Sequence, residues 1–334
     1  MQDINWNITF RGCILKCNIM GRTLALVFVT LVLHALWGSA LSALLGPRIT
    51  ATKILDLAEV DKNGYCYSCI KIDNICYNHT ELFELPAPFG EHPVVKRMGI
   101  MKSSNLLYYN FEPALSDKEY SKVAFVSLYS TNFSGVISGW QSFNFGPFDI
   151  NQNNKKVYLG GSDGIWVVNT ISRFPAFFSM KANLITNVVV RDNVYFTASG
   201  YDGIFKYVDG YYVGQLVDKT INNFILDIGY NIVYLNDTGL YISFRSKSQN
   251  DVRLSTERFI RGLTVDGKGA VYAWHVDGIY KVTLGKVLSQ STLKRVSNLA
   301  PDAMTFDQSN NIIYSIGKKL YKLSKVTTSD CFGM

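Results

Sequence analysis

Six positions along this chain combine residue type and spacing in a way that permits chemistry. Arg97, Asn144 or Phe145, Asn187, Asn223, Arg261 and Asp302 each stand one hairpin before a hydrophobic-Tyr pair. Equivalent positions of a repeated unit converge when the units are set around an axis. Converged, they offer two guanidinium groups, at least two amides and one carboxylate. Neighbouring arginines repel a divalent cation, and Glu257 is the only Glu after Glu119. The set is therefore expected to hold an anionic or polar organic ligand and no metal, with Asn187 and Asn223 supplying orienting hydrogen bonds. Two guanidiniums in one funnel repel each other unless an anion or Asp302 compensates them. Trp140, Trp166 and Trp274 are candidates for stacking on a planar ligand, and Trp140 is placed in the site. The plainer reading is that each tryptophan packs a core and each polar residue ends a loop.

The elements that must position these residues come from one recurring phrase. Val157-Tyr158 is followed by Asp163-Gly164-Ile165-Trp166. The phrase returns as Val194-Tyr195 with Asp202-Gly203-Ile204-Phe205, and as Val271-Tyr272 with Asp277-Gly278-Ile279-Tyr280. Weaker copies begin at Leu107-Tyr108, Val233-Tyr234 and Ile313-Tyr314. The six tyrosines are 37 to 50 residues apart, a period that signals a propeller or a solenoid. Each unit holds short runs rich in Val, Ile, Tyr and Phe, which is strand composition. Asp-Gly pairs supply the positive φ of tight hairpins. No helical stripe follows Leu106, and solenoid repeats are much shorter than these. The expected fold is all-β, a six-bladed β-propeller of about four-stranded blades.

The amino-terminal part reads differently. Leu24 to Leu33 is an apolar core behind Arg22, and Gly38-Ser39-Ala40 and Ser42-Ala43 follow it. Residues 20–43 are expected to be a signal peptide, cut between about Ala40 and Ala43, with 1–19 an upstream extension. An uncleaved anchor is the alternative, because Thr23 to Leu45 is long enough to span a bilayer. Residues 44–90 then form a Cys-containing segment, and 91–331 the propeller. Cys66, Cys69, Cys76 and Cys331 are an even set, as disulfides in an exported protein require. A bridge from the 66–76 cluster to Cys331 would tie first and last blades, worth about 5 kcal/mol in the loop-entropy model. A redox or zinc pair at Cys66 and Cys69 is the sharper alternative, but no His motif accompanies it. Asn78, Asn132 and Asn236 head glycosylation sequons;.

Other chemistry is sparse. There is no Gly-x-Ser-x-Gly elbow, no His-Glu-x-x-His and no phosphate-binding loop;. His34, His79, His92 and His275 form no ligand pair. No catalytic residue and no cofactor is expected. The formal charge of +7 is scattered along the chain, which describes a solvated surface and not a nucleic-acid stripe. A monomer is expected, with membrane contact only if the signal is uncleaved. Six-bladed propellers commonly hold an axial calcium ion, so a calcium-dependent lactonase or esterase is the enzymatic alternative. An extracellular protein-interaction module is a third reading.

One further feature narrows the field. Asn154 to Ile165 reads Asn-Lys-Lys-Val-Tyr-Leu-Gly-Gly-Ser-Asp-Gly-Ile, and Cys69-Ile-Lys-Ile-Asp-Asn-Ile-Cys76-Tyr77 heads the mature region. With the repeated Asp-Gly-Ile-Tyr phrase and the lone Cys331, these resemble the ommochrome-binding proteins of moth and butterfly haemolymph. The resemblance spans about Cys66 to Cys331. It implies a secreted, extracellular, non-enzymatic carrier of acidic, tryptophan-derived aromatic pigments. An arginine-bearing, aromatic-rich site suits such a ligand. The chain departs from the pattern in its upstream extension, its extra cysteines and a first blade enlarged around Glu112 to Tyr120.

Overall fold

The computed structural model describes residues 69–326, apart from 74, 138–143, 170–172, 181–182 and 245–250. The expected extension, signal peptide, Cys66, Trp140 and Cys331 lie outside the described residues. The chain begins with a hairpin of β1 (Ile70–Ile72) and β2 (Ile75–Glu84). Blade I is β3 (Val95–Met101), β4 (Leu106–Phe111), β5 (Lys122–Ser127) and β6 (Ser134–Val136). Blade II is β7 (Phe148–Asn151), β8 (Lys156–Gly161), β9 (Gly164–Asn169) and β10 (Pro175–Ser179). Blade III is β11 (Ile185–Val190), β12 (Val194–Ala198), β13 (Ile204–Val208) and β14 (Tyr211–Gln215). Blade IV is β15 (Asn223–Leu226), β16 (Ile232–Asn236), β17 (Gly239–Ser243) and β18 (Val252–Ser255). Blade V is β19 (Gly262–Val265), β20 (Val271–His275), β21 (Gly278–Thr283) and β22 (Thr292–Ser297). Blade VI takes β23 (Ala303–Phe306), β24 (Ile312–Ile316) and β25 (Lys319–Lys325), then β2 and β1. The six antiparallel sheets form a six-bladed β-propeller, as the repeat predicts.

The hydrophobic-Tyr pairs are the second strand of every blade. Tyr108, Tyr158, Tyr195, Tyr234, Tyr272 and Tyr314 are all at most 8% exposed. A strand covered on both faces by neighbouring blades carries apolar residues on both faces, so β4 and β12 are buried along their whole length;. The Asp-Gly pairs turn the second strand into the third. Gly164 has φ +100°, and a Cβ there would stand 2.6 Å from the Ser179 and Met180 carbonyl oxygens. Only glycine fits that approach.

The turn after the first strand carries a second repeated device. The Asp227 carboxylate accepts from the Asn231 backbone N (2.8 Å) and side-chain amide (2.7 Å). Asp307 accepts the same pair from Asn311, at 2.8 and 3.0 Å. Asp266 accepts from the backbone N of Ala270 at 2.9 Å. Burial pushes the Asp307 carboxyl up. The Asn311 bonds and the Lys322 ammonium, 3.0 Å away, outweigh it and hold the group below its usual value.

The ring closes through the amino terminus. β2 pairs with β25 from Tyr77 opposite Lys325 to Glu84 opposite Lys319. The second half of the expected 44–90 segment is thus part of blade VI, and the propeller begins before residue 91. Local sequence did not reveal this, because the partner strand lies about 240 residues away. The β1–β2 turn is fixed to blade V by an ion pair between Asp73 and Lys281 at 2.5 Å. Cys69 and Cys76 are both disulfide-bonded and pack together against Val326, beside this closure.

Candidate functional site

The six first strands β3, β7, β11, β15, β19 and β23 pack on one another in a closed ring around the propeller axis, and, each opening a blade of the same topology, they run the same way along it. Residues at their starts gather at one mouth, here the entry mouth. A cavity of about 400 Å³ opens there, lined by Arg97, Asn144, Asn187, Asn223 and Arg261 from the expected ring. Asn144 occupies the blade II position, while Phe145 is 2% exposed and belongs to the core. Lys96, Asn110, Tyr120, Ser121, Thr186 and Asn222 also line it. Sequence reasoning passed over these. Tyr120 and Ser121 end the enlarged blade I loop, and Lys96 and Asn222 adjoin ring positions, so a count tolerant by one residue reaches the latter pair.

Arg97 spans the tunnel. It begins on blade I, and its guanidinium donates to Asn187 Oδ1 (2.5 Å) and to the Val188 carbonyl (3.0 Å) on blade III. Asn187 passes the link on, donating to Asn223 Oδ1 (2.8 Å) and the Phe224 carbonyl (3.2 Å) on blade IV. Asn187 is 2% exposed and has both side-chain atoms engaged. It holds Arg97 in place and has no donor left for a ligand. Arg97 borders both the entry cavity and a second cavity beyond it, so this chain of bonds forms a bar across the tunnel.

The two arginines differ in charge environment. Arg261 donates to Asp302 Oδ1 at 3.0 Å, and the other Asp302 oxygen accepts from Gly317 N at 2.7 Å. Asp302 therefore compensates Arg261 and does not line the cavity. Arg97 has no carboxylate partner within ion-pair distance among the described residues. Burial lowers its affinity for its proton, and the negative charge of Asp149 opposes that effect. A buried guanidinium stays charged, so the bar presents a desolvated cation. Asn144 is committed elsewhere, accepting from the backbone N of Tyr120 at 2.6 Å and so fastening the blade I loop.

The tryptophans divide. Trp274 is 2% exposed and donates its indole N–H to the Asp302 carbonyl at 3.0 Å. It packs flat on Gly262, so it is core. Trp166 packs edge-on to Phe145 and Phe177. Tyr120, which is exposed, is the aromatic side chain at the entry rim among the described residues.

Among the described residues no three His, Cys, Asp or Glu side chains gather as metal ligands. Axial calcium needs several converging oxygen ligands. The amide oxygens of Asn144, Asn187 and Asn223 already accept from Tyr120 N, Arg97 and Asn187, three cations stand beside them and no described carboxylate lines the cavity, so these residues do not fit that ion.

No protein-family model and no curated protein sequence matches the chain. Solved structures do. The WD40 repeats of RRP9 superpose with a TM-score of 0.54 at 11% identity, over 77% of this chain and 99% of that one. A protein provisionally described as a gluconolactonase gives 0.53 at 10% identity, over 75% and 92%. Virginiamycin B lyase from Staphylococcus aureus gives 0.51 at 8% identity, over 75% and 100%. One fold thus carries repeat proteins and enzymes alike, and at these identities the likeness establishes that this chain is a β-propeller.

Proposed function

We propose that this chain is a secreted, non-enzymatic binding protein for a small acidic aromatic molecule of the ommochrome type, held in the entry funnel. The observation that carries this reading is the charge of the funnel. Three cationic side chains line it and no carboxylate does, among the described residues. Lys96 and Arg261 already have acidic partners, Glu112 at 2.5 Å and Asp302 at 3.0 Å. Arg97 does not, so an entering carboxylate or sulfate finds a desolvated cation at the floor. The Asn223 amide N–H groups are left to orient it, and Tyr120 offers a ring face at the rim. Extracellular carriage, as in haemolymph, is supported by the apolar Leu24–Leu33 segment and by exposed sequon residues Asn78 and Asn132.

The test is the visible spectrum of protein purified from its secreted source. A co-purifying chromophore that acid or solvent extraction releases as an acidic aromatic supports the carrier reading. A colourless protein that takes up no acidic aromatic in titration refutes it. Turnover of lactone or ester substrates would move the chain to the hydrolase alternative. Capture of a defined extracellular partner on a propeller face would move it to the interaction module.

A further inference from the structure

The second cavity, beyond the Arg97 bar, opens at the exit mouth and has a volume of about 360 Å³. Its lining is mixed: Ile150, Ile225, Leu263, Val265 and Phe306 form an apolar strip among polar and charged side chains. At its lip stand Lys102 on blade I and Arg191 on blade III, with exposed Ile228 beside them. Gln152, on blade II between them, is committed to the backbone. It accepts from Lys102 N at 3.0 Å and donates to the Ile100 carbonyl at 2.8 Å.

Neither cation is neutralised. Arg191 donates one Nη2–H to the Leu226 carbonyl at 2.8 Å. Its Nε is buried and meets no acceptor. The guanidinium Nη atoms therefore carry the charge that Arg191 offers to the cavity, where it lines the wall. The Lys102 ammonium has no carboxylate within ion-pair distance among the described residues. The carboxylates in the cavity are spoken for. Asp149 accepts from Ile150 N (2.8 Å) and Val190 N (2.7 Å). Asp266 accepts from Lys268 N (2.8 Å) and Ala270 N (2.9 Å). With Arg97 at its floor, the cavity has three cationic side chains against these two carboxylates.

We infer that the exit mouth is a second ligand site, separate from the entry funnel, for a small organic oxyanion. Arg191 and Lys102 grip the charged group, and the apolar body lies along the tunnel wall. A guanidinium takes two acceptor oxygens in one plane, which suits carboxylate, sulfate and phosphate alike. The apolar strip distinguishes an organic anion from a free inorganic one, because covering it with a phenyl-sized body adds affinity that a bare ion lacks.

Calorimetric titration with phenyl phosphate and with inorganic phosphate tests this. Phenyl phosphate is expected to bind at least about tenfold more tightly. Arg191→Gln and Lys102→Met should each weaken it by about tenfold or more, the loss of one charge-assisted contact. Lys102→Met removes a partly exposed ammonium that makes no internal bond, so it reads binding even if Arg191→Gln loosens the fold. Lys294→Met, an equal charge loss on the outer strand β22, should leave affinity unchanged. Wild-type affinity in both Arg191→Gln and Lys102→Met overturns the site. Equal affinity for the two phosphates overturns the organic class of ligand.

Discussion

Tyr77→Ala tests whether the amino-terminal strand closes the ring. Tyr77 lies on β2, opposite Lys325, and is 5% exposed. Burial pushes its hydroxyl up to about 12, with Tyr272 of blade V adding to the shift, so the ring sits between the last two blades. An aromatic side chain buries about 150 Å² or more, worth about 4 kcal/mol at ~25 cal/mol/Å². Measured truncations of buried aromatics fall at about 3–5 kcal/mol. For a domain of this size each kcal/mol moves Tm by about 2–4 °C. Tyr77→Ala should therefore melt about 6–20 °C below the parent in a circular-dichroism scan. Tyr211→Ala is the control, since Tyr211 is 76% exposed on the outer edge of blade III. It should stay within about 0.5 kcal/mol of the parent. Equal melting of Tyr77→Ala and the parent would mean that β2 does not pair with β25.

Three other outcomes follow from the same structure. Gly262→Ala would place a Cβ 2.2 Å from Trp274 Cζ2. It should cost about 1–3 kcal/mol and shift tryptophan fluorescence; an unchanged melt and spectrum would show the contact to be wrong. His79 Nε2 lies 2.8 Å from the Tyr314 hydroxyl, and burial holds its imidazole below the usual value while Glu81 opposes this. The unfolded chain thus binds that proton more readily, so stability is intact above about pH 6.5 and falls as pH drops below it. His79→Phe should flatten that part of the Tm-against-pH curve, and an unaltered slope would refute the assignment. Mapping of non-reduced peptides should find Cys331 bridged to the Cys66–Cys76 region; a free Cys331 thiol would dismiss covalent closure.

The blades were legible because propeller repeats write the same constraints six times. A second strand buried on both faces must read as a run such as Val194 to Ala198, and its hairpin must turn on glycine. Counting back one hairpin then reaches the entry residues, which is why Arg97, Asn187, Asn223 and Arg261 come to one funnel. What those side chains do there was not legible. Asn187 is spent on Arg97 and Asn223, and Asp302 on Arg261, because partner choice depends on distances across the tunnel. The enlarged loop at Glu112 to Tyr120 announced itself as an insertion, yet its place as a funnel wall needed Asn144 to pin it. The exit mouth was overlooked because Lys102 and Arg191 sit in turns, where a cation is ordinarily just solvated. The strand β2 was missed because its pairing is set by ring closure and by nothing nearby in sequence.

Under the proposed function, Arg97 anchors an anionic ligand in the entry funnel. The most direct test is titration of an acidic ommochrome into wild type and Arg97→Met, followed by absorbance. Arg97 is the funnel cation without an acidic partner, so its loss should weaken binding by about ten- to a hundredfold, or about 1.5–3 kcal/mol. Arg261→Ala, whose charge Asp302 already compensates, should weaken it less. Wild-type affinity in a folded Arg97→Met protein would show that Arg97 does not hold the ligand.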